Sequence, residues 1–159
     1  MTSIDQIYQA LTALAQSINN IGTSATTISG IIKNGVVLAT YPASATPVTS
    51  SSGNVANASA VATLAATAST TAYLTGFAIT SGGSTSAAVV NVTVVGVLGG
   101  TMTFNYATVA GATAPNTPLI VQFPNAIPAS ALNTSIVVTL PALGTGNAHA
   151  TVVAYGYIK

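Results

Sequence analysis

The side chains that could do acid–base or nucleophilic chemistry are very few. Asp5 is the only carboxylate side chain and His149 the only imidazole, and the 159 residues include no Cys, Glu or Arg. A hydrolytic triad needs a nucleophile, a base and an orienting acid at one point, and glycoside hydrolysis needs two carboxylates. One His and one Asp also cannot fill the ligand shell of a metal ion. The sequence therefore predicts no catalytic residue, no metal site and no cofactor, and we do not expect an enzyme.

The segment GTGNAH, residues 144–149, has a superficial likeness to a phosphate-binding loop. It lacks a Lys and a third Gly, and it leads into a strand pattern rather than a helix. We interpret it as a hairpin loop. His149 is then an ordinary residue of the last strand, and Asp5 belongs to the first turn of a helix.

The charge of the chain excludes several classes of partner. Lys33 and Lys159 are the only permanent cations, and the net charge is +1. Nucleic-acid binding needs clustered Lys or Arg, so we expect no nucleic-acid partner. Apolar runs are interrupted before about 18 residues accumulate, and no basic segment precedes an apolar one near the start of the chain. We therefore expect no membrane span and no secretory signal, and the lack of Cys permits assembly in a reducing compartment.

Hydroxyl groups rather than charges must keep this chain in solution. Half of the residues are hydrophobic and only 2% are charged, while 25 Thr and 15 Ser supply polar surface. A typical soluble domain has roughly 25% charged residues. Because little colloidal repulsion remains, the composition favours a subunit of a larger assembly over a free monomer.

The segment IDQIYQALTALAQSINNI, residues 4–21, carries apolar residues at alternating spacings of three and four. This heptad spacing predicts an amphipathic helix that ends near Gly22. Ile or Leu at both core positions favours three or four strands over two, so we predict self-association. The alternatives are a helix that packs on its own β domain or docks on another protein. The predicted interface residues are Ile4, Ile7, Leu11, Leu14, Ile18 and Ile21.

Three regions are predicted: an oligomerisation or anchoring helix at 1–22, a linker at 23–53 and a β domain at 54–159. The linker contains one short strand pattern, GVVLATY, and then PASATPVTSSSG, which we expect to be irregular. The β domain alternates apolar and polar residues between Gly- and Pro-containing turns, which predicts a jelly-roll-like antiparallel β-sandwich. Its predicted strands are Ser59–Thr67, Thr71–Thr80, Ala87–Leu98, Thr101–Ala107, Leu119–Phe123, Ser135–Leu140 and Ala148–Ile158.

The last predicted strand ends with two tyrosines on one face. Odd-numbered residues from His149 to Tyr157 share one side of the strand, and even-numbered residues share the other. Tyr155 and Tyr157 could therefore form a surface or an interface, because Tyr buries a large area and keeps a polar end. They could equally be ordinary residues at the rim of the sandwich.

The β domain resembles small virion proteins of tailed bacteriophages over about residues 52–158. The resemblance lies in the run SGNVANASAVATLAATASTTAYLTGFAIT, followed by GVLGGTMTFNY, PLIVQFPNAIPAS and IVVTLPALGTGNAHATVVAYGY. The proteins in question are capsid decoration, cement or head-fibre proteins with a β-sandwich domain. The resemblance implies a trimeric, non-enzymatic protein on the outside of a capsid, with no catalytic residues to assign.

These observations lead to one expected function and two alternatives. We expect a structural virion protein, assembled in the host cytoplasm, that binds the major capsid protein or another virion protein and stabilises the capsid exterior. A fibre or adhesin head that binds glycans or a receptor is the first alternative, since jelly rolls include many lectins. An extracellular filament subunit built by strand donation through IIKNGVVLATY is the second.

Overall fold

The computed structural model describes residues 4–33, 41–111, 113–144 and 147–159. The chain forms two compact units, Met1–Thr40 and Tyr41–Lys159. The first unit contains the helix and the second contains all the strands of the described residues.

The helix, α1, spans Ile4–Lys33. The prediction that it ends at Gly22 is wrong, and the first part of the predicted linker is helical. A helical Gly costs only about 1 kcal/mol relative to Ala, and the apolar spacing continues through Ala25, Ile28 and Ile32. The strand predicted at GVVLATY falls almost wholly on residues 34–40, outside the described residues. Within the part of the chain that is described, no helix is both long and apolar enough to cross a membrane.

The described part of the second unit contains eight strands in two four-stranded antiparallel sheets. The predicted mainly β fold is confirmed, and each of the seven predicted strands overlaps one observed strand. The strands are β1 Thr46–Ser51, β2 Ala60–Leu64, β3 Ala72–Gly82, β4 Ala88–Val95, β5 Met102–Thr108, β6 Leu119–Pro128, β7 Ile136–Leu140 and β8 His149–Ile158.

The order of the strands is that of a jelly roll. Sheet A has the order β1-β8-β3-β6 and sheet B the order β2-β7-β4-β5. The antiparallel pairs are nested, because β4 pairs with β5, β3 with β6, β2 with β7 and β1 with β8. One long antiparallel ribbon is thus rolled into two packed sheets, which is the architecture predicted from the spacing of strands and turns.

Two predicted irregular segments are in fact strands. β1 lies within PASATPVTSSSG and pairs with β8 along its whole length, so the sandwich begins before residue 54. β6 continues through PNAIP, which we expected to be a turn, as far as Pro128. Both are edge strands of sheet A, where Pro is tolerated because one side of the strand makes no sheet hydrogen bonds.

The core lies between the two sheets and is built by strict alternation. In β7 and β2 every second residue is buried, and in β8 the even-numbered residues Ala150, Val152 and Ala154 point inward. Phe77 of β3 is fully buried, with its ring 5.2 Å from that of Phe104 and inclined at 71°. The odd-numbered residues of β8 therefore lie on the outer face of sheet A.

The sandwich has two distinct ends. At the first end Tyr41 begins the unit, and the amide of Thr71 donates to the carbonyl of Lys159 at 2.7 Å. The connections that follow β2, β4 and β6 also lie there, because the strands are antiparallel. The opposite end, which we call the far end, holds the connections that follow β1, β3, β5 and β7. There Gly82 is bridged to Pro115, and Ser84 to Ala110.

Candidate functional site

The first candidate site is the apolar stripe of α1, which we call the seam. Its six residues are large, aliphatic and 54–76% exposed in the single chain. At 3.6 residues per turn, spacings of three and four place them along one side of the helix. The seam residues are Ile4, Ile7, Leu11, Leu14, Ile18 and Ile21.

The positions that flank the seam carry no charge. In the heptad frame these positions hold Tyr8, Ala10, Ala15 and Ser17. Tyr8 is 71% exposed and widens the apolar surface. Coiled coils ordinarily use Glu and Lys at these positions to select a partner and an orientation. This helix can bury its seam on other apolar helices, but its flanks do not specify which ones.

Burial of the seam would release substantial free energy. Each Ile or Leu contributes about 1.5–3 kcal/mol when it is moved from water into an apolar contact. The summed burial free energy of six such side chains per chain can offset the translational and rotational freedom that is lost when a few helices associate. The predicted interface residues are therefore able to form an apolar contact with a partner. The identity of that partner remains a prediction.

The second candidate site is the pair of tyrosines on β8. Tyr157 is only 7% exposed, because its ring stacks on that of Tyr73 at 4.6 Å and 12°. The ring of Tyr41 meets it edge-on at 5.6 Å. Burial raises the pKa of the Tyr157 hydroxyl, and the neighbouring Tyr73 adds to the rise. Within the single chain Tyr157 is therefore buried at the first end of the sandwich, between the rings of Tyr73 and Tyr41, and an interface role for it stays a prediction.

Tyr155 lies on the same outer face and is half-buried. Its hydroxyl accepts a hydrogen bond from Gln122 Nε2 at 3.0 Å. Its ring covers Gly76, where an added Cβ would lie 2.7 Å from Tyr155 Cε2 and 2.5 Å from the Val121 carbonyl oxygen. Gly76 therefore allows the ring to lie against the sheet, and only part of the Tyr155 ring is open to a partner.

A third site, which the sequence did not predict, is a groove at the far end. Its volume is about 440 Å³. It is lined by the C-terminal end of β3 and the start of β8, where Thr80 pairs with Thr151 and Gly82 with His149. The described lining residues include no Lys, Arg, Asp or Glu. They are Thr80, Ser81, Gly82, Gly83, Thr113, Pro115, His149 and Thr151.

A buried hydrogen-bond network holds one wall of this groove. The side chain of Asn116 is almost fully buried and donates to Ser81 Oγ at 2.7 Å and Ser84 Oγ at 3.1 Å. Its Oδ1 accepts from the amide of Val109 at 2.6 Å. Ser81 Oγ also lies 2.8 Å from the hydroxyl of Tyr106. Satisfied buried networks of this kind are rigid, so the connection from β5 to β6 is fixed on the end of β3.

The Tyr106 hydroxyl belongs to the same network. Burial raises its pKa, and the hydrogen bond with Ser81 opposes part of that rise. The phenol is therefore neutral over the physiological pH range, and the network needs no ionised group.

Asn147 supports the opposite wall. It is fully buried, and its Nδ2 donates to the carbonyls of Gly82 at 3.1 Å and His149 at 3.3 Å. The imidazole Nδ1 of His149 lies 3.3 Å from Asn54 Oδ1. If Nδ1 donates to that oxygen, the neutral ring keeps Nε2 as an acceptor. The wall is thus held by side-chain amides from the connections that follow β1 and β7.

The residues first considered for catalysis belong to different units. Asp5 belongs to the unit Met1–Thr40 and His149 to the unit Tyr41–Lys159. Among the described residues, no group of three or more His, Cys, Asp or Glu side chains could hold a metal ion. Residues 145 and 146 of GTGNAH lie outside the described residues, and Asn147 is a buried structural residue.

Comparisons with known proteins add no relative. No protein-family model matches the chain, and neither curated proteins nor solved structures include one that is significantly similar to it.

Proposed function

We propose that this protein is a structural subunit of a virion. It self-associates through α1, most simply as a trimer, and attaches to the outside of a capsid, where its contacts stabilise the shell. The observation that carries the proposal is the seam, whose six large aliphatic side chains are more than half exposed in the single chain.

The seam supports self-association more than docking on a foreign groove. Its apolar residues follow the narrow two-per-heptad pattern of a coiled coil, whereas a helix docked on a globular surface has a broader stripe. Ile or Leu at both core positions, together with the apolar Tyr8 and small Ala10 and Ala15 beside them, suits more than two helices. The partner that matches the seam is a further copy of the same helix.

The sandwich supports a place on a capsid. Jelly rolls are common in virion proteins, and the β domain resembles capsid decoration, cement and head-fibre proteins. Its outer faces carry Thr, Val, Asn and Tyr rather than charges, so attachment would bury apolar and hydroxyl-bearing surface. Binding only to the assembled shell would stabilise that shell by mass action.

The oligomer is tested by light scattering after size exclusion on the full-length protein. We expect the molar mass of a trimer for the wild type and of a monomer for a Leu11→Asp/Leu14→Asp variant, because each carboxylate would be buried in the seam. The matched control is Gln9→Asp/Gln16→Asp, which adds the same charge on the far side of the helix and should remain trimeric. A monomeric wild type would refute self-association.

Attachment to a virion is tested with an antibody against the protein on purified tailed-phage particles of the same source. We expect the label on the capsid surface, retained when the salt concentration is raised from about 0.05 to 1 M, because exposed charges make little contribution here. Particles that carry no label would contradict the virion assignment, and release of the label at 1 M salt would contradict apolar attachment.

A further inference from the structure

We propose that the far-end groove binds a neutral saccharide. This site belongs to a single sandwich and needs neither the oligomer nor the capsid of the proposed function. The inference depends on the chemistry of the lining, on the support behind it and on its place in the fold.

The lining matches a ligand that has hydroxyl groups and no charge. Thr80, Thr113 and Thr151 each offer a hydroxyl that can donate and accept, while the Ser81 hydroxyl is engaged by Asn116 and Tyr106. An anionic ligand would find no Lys or Arg among the described lining residues, and a cationic ligand would find no carboxylate. His149 adds an imidazole that hydrogen-bonds readily without a permanent charge.

The shape of the groove fits a ligand of one or two sugar rings. Its volume of about 440 Å³ is within the usual range for small-ligand sites. Gly82 lets the connection that carries Pro115 lie close to β3, because an added Cβ would be 3.3 Å from the Ala114 carbonyl oxygen. The ring of Pro115 offers an apolar surface for the C–H face of a sugar. A peptide is less well matched, because Pro115 is the only large apolar residue among the described lining residues and provides no pocket for apolar side chains.

The groove is held in shape before any ligand arrives. Asn116 anchors the connection that carries Thr113 and Pro115, and Asn147 ties Gly82 to the start of β8. Preorganisation of this kind reduces the entropy lost on binding. The groove also lies at the end of the sandwich opposite Tyr41, whose ring meets that of Tyr157 at the first end.

The test is a titration of the ¹⁵N-labelled full-length protein with neutral sugars, followed by amide chemical shifts. The panel is glucose, galactose, mannose, rhamnose, N-acetylglucosamine and maltose, each raised to about 50 mM, with inorganic phosphate as the charged comparison. We expect at least one sugar to shift the amides of Gly82, Gly83, His149 and Thr151 with a Kd of the order of 1 mM, which corresponds to about −4 kcal/mol.

Two matched variants separate the groove from the rest of the surface. Thr80→Val/Thr151→Val removes two hydroxyls from paired groove residues and keeps branched side chains suited to a strand. We expect it to weaken sugar binding about tenfold or more. Thr93→Val/Thr139→Val makes the same change in a cross-strand pair of sheet B and should leave the Kd unchanged.

Four outcomes would overturn the proposal: no shift with any sugar, shifts located away from the groove, equal weakening in both variants, or tighter binding of phosphate than of every sugar. The Leu11→Asp/Leu14→Asp variant tests sugar binding independently of self-association. Sugar binding should survive in it, because the groove is complete within one sandwich.

Discussion

The helix and the sandwich are both built from apolar side chains, but only the sandwich buries its own. Phe77, Leu74 and Ile79 are fully buried between the sheets, whereas the seam residues of α1 are 54–76% exposed. The two units use the same driving force, since burial of apolar surface stabilises both. The sandwich buries its core within a single chain, whereas the seam stays exposed there, and we propose that further copies of the helix cover it.

This difference assigns separate tasks to the two units. A jelly roll with a filled core can present a surface without help from neighbours. A helix with an exposed seam buries much apolar surface when it associates, but with uncharged flanks it discriminates weakly between partner helices. Selection of the partner, and of the parallel or antiparallel arrangement, then depends on the sandwich that is attached to each helix.

The largest effect is expected from Phe77→Ala, which should destabilise the sandwich by about 3–5 kcal/mol. The substitution leaves a cavity beside Phe104 and removes the most voluminous of the fully buried side chains. Urea unfolding followed by far-UV circular dichroism and tyrosine fluorescence measures the change. Tyr8→Ala, an equally large truncation on α1, should leave the unfolding of the sandwich unaltered. An effect of Phe77→Ala below 1 kcal/mol would contradict the core described above.

A smaller effect, of opposite sign, is expected from Gly22→Ala. Because α1 continues through Gly22, the substitution should stabilise the helix by about 0.5–1 kcal/mol per chain and raise the midpoint of its thermal melting.

Gly99→Ala is the control for this change. Gly99 adopts a φ of 93° in the turn after β4, so the same substitution should destabilise the sandwich by about 1 kcal/mol. If Gly22→Ala lowered the melting midpoint, the helix would end near Gly22 in solution.

The smallest effect at neutral pH is expected from Tyr157→Phe, which keeps the ring contacts with Tyr73 and Tyr41. Burial raises the folded-state pKa of Tyr157 and Tyr106 above the usual value of about 10. As the pH rises past 10, the unfolded chain loses these protons first, so the stability is complete below pH 10 and falls above it.

The wild type should therefore unfold at a lower urea concentration at pH 11 than at pH 9, and Tyr157→Phe should show a smaller decrease. Tyr8→Phe, in the other unit, should reproduce the wild-type decrease. Equal decreases in wild type and Tyr157→Phe would show that Tyr157 does not couple folding to alkaline pH.

Strands with an alternating apolar pattern could be predicted from the sequence, whereas a strand that forms only because an adjacent strand pairs with it could not. β7 and β8 carry regular alternation, so their positions could be predicted, and period two showed which residues of β8 share a side. β1 has a single aliphatic residue, Val48, and becomes a strand because β8 pairs with it. Such tertiary pairing overrides weak local propensity.

The seam and the groove differ in the same way. The seam lies within one continuous helix, so its residues could be identified from spacing alone. The groove brings together β3, β8 and the connection after β5, and its residues are mostly Thr and Gly, which are abundant everywhere in this chain. Without the nested strand pairing, nothing distinguishes Thr80 and Thr151 from the other threonines.

The nested pairing also constrains the order of events during biosynthesis. The innermost pair, β4 with β5, closes across a short turn. Sheet A, by contrast, needs β8 between β1 and β3, and β8 is the last of the described strands in the sequence. Contacts between segments so distant in the sequence form slowly, because the loop they close is long. The seam of α1, by contrast, is made before any strand. In the oligomer that we propose, helices of neighbouring nascent chains would therefore meet while their sandwiches are still incomplete, and each jelly roll would close next to the others.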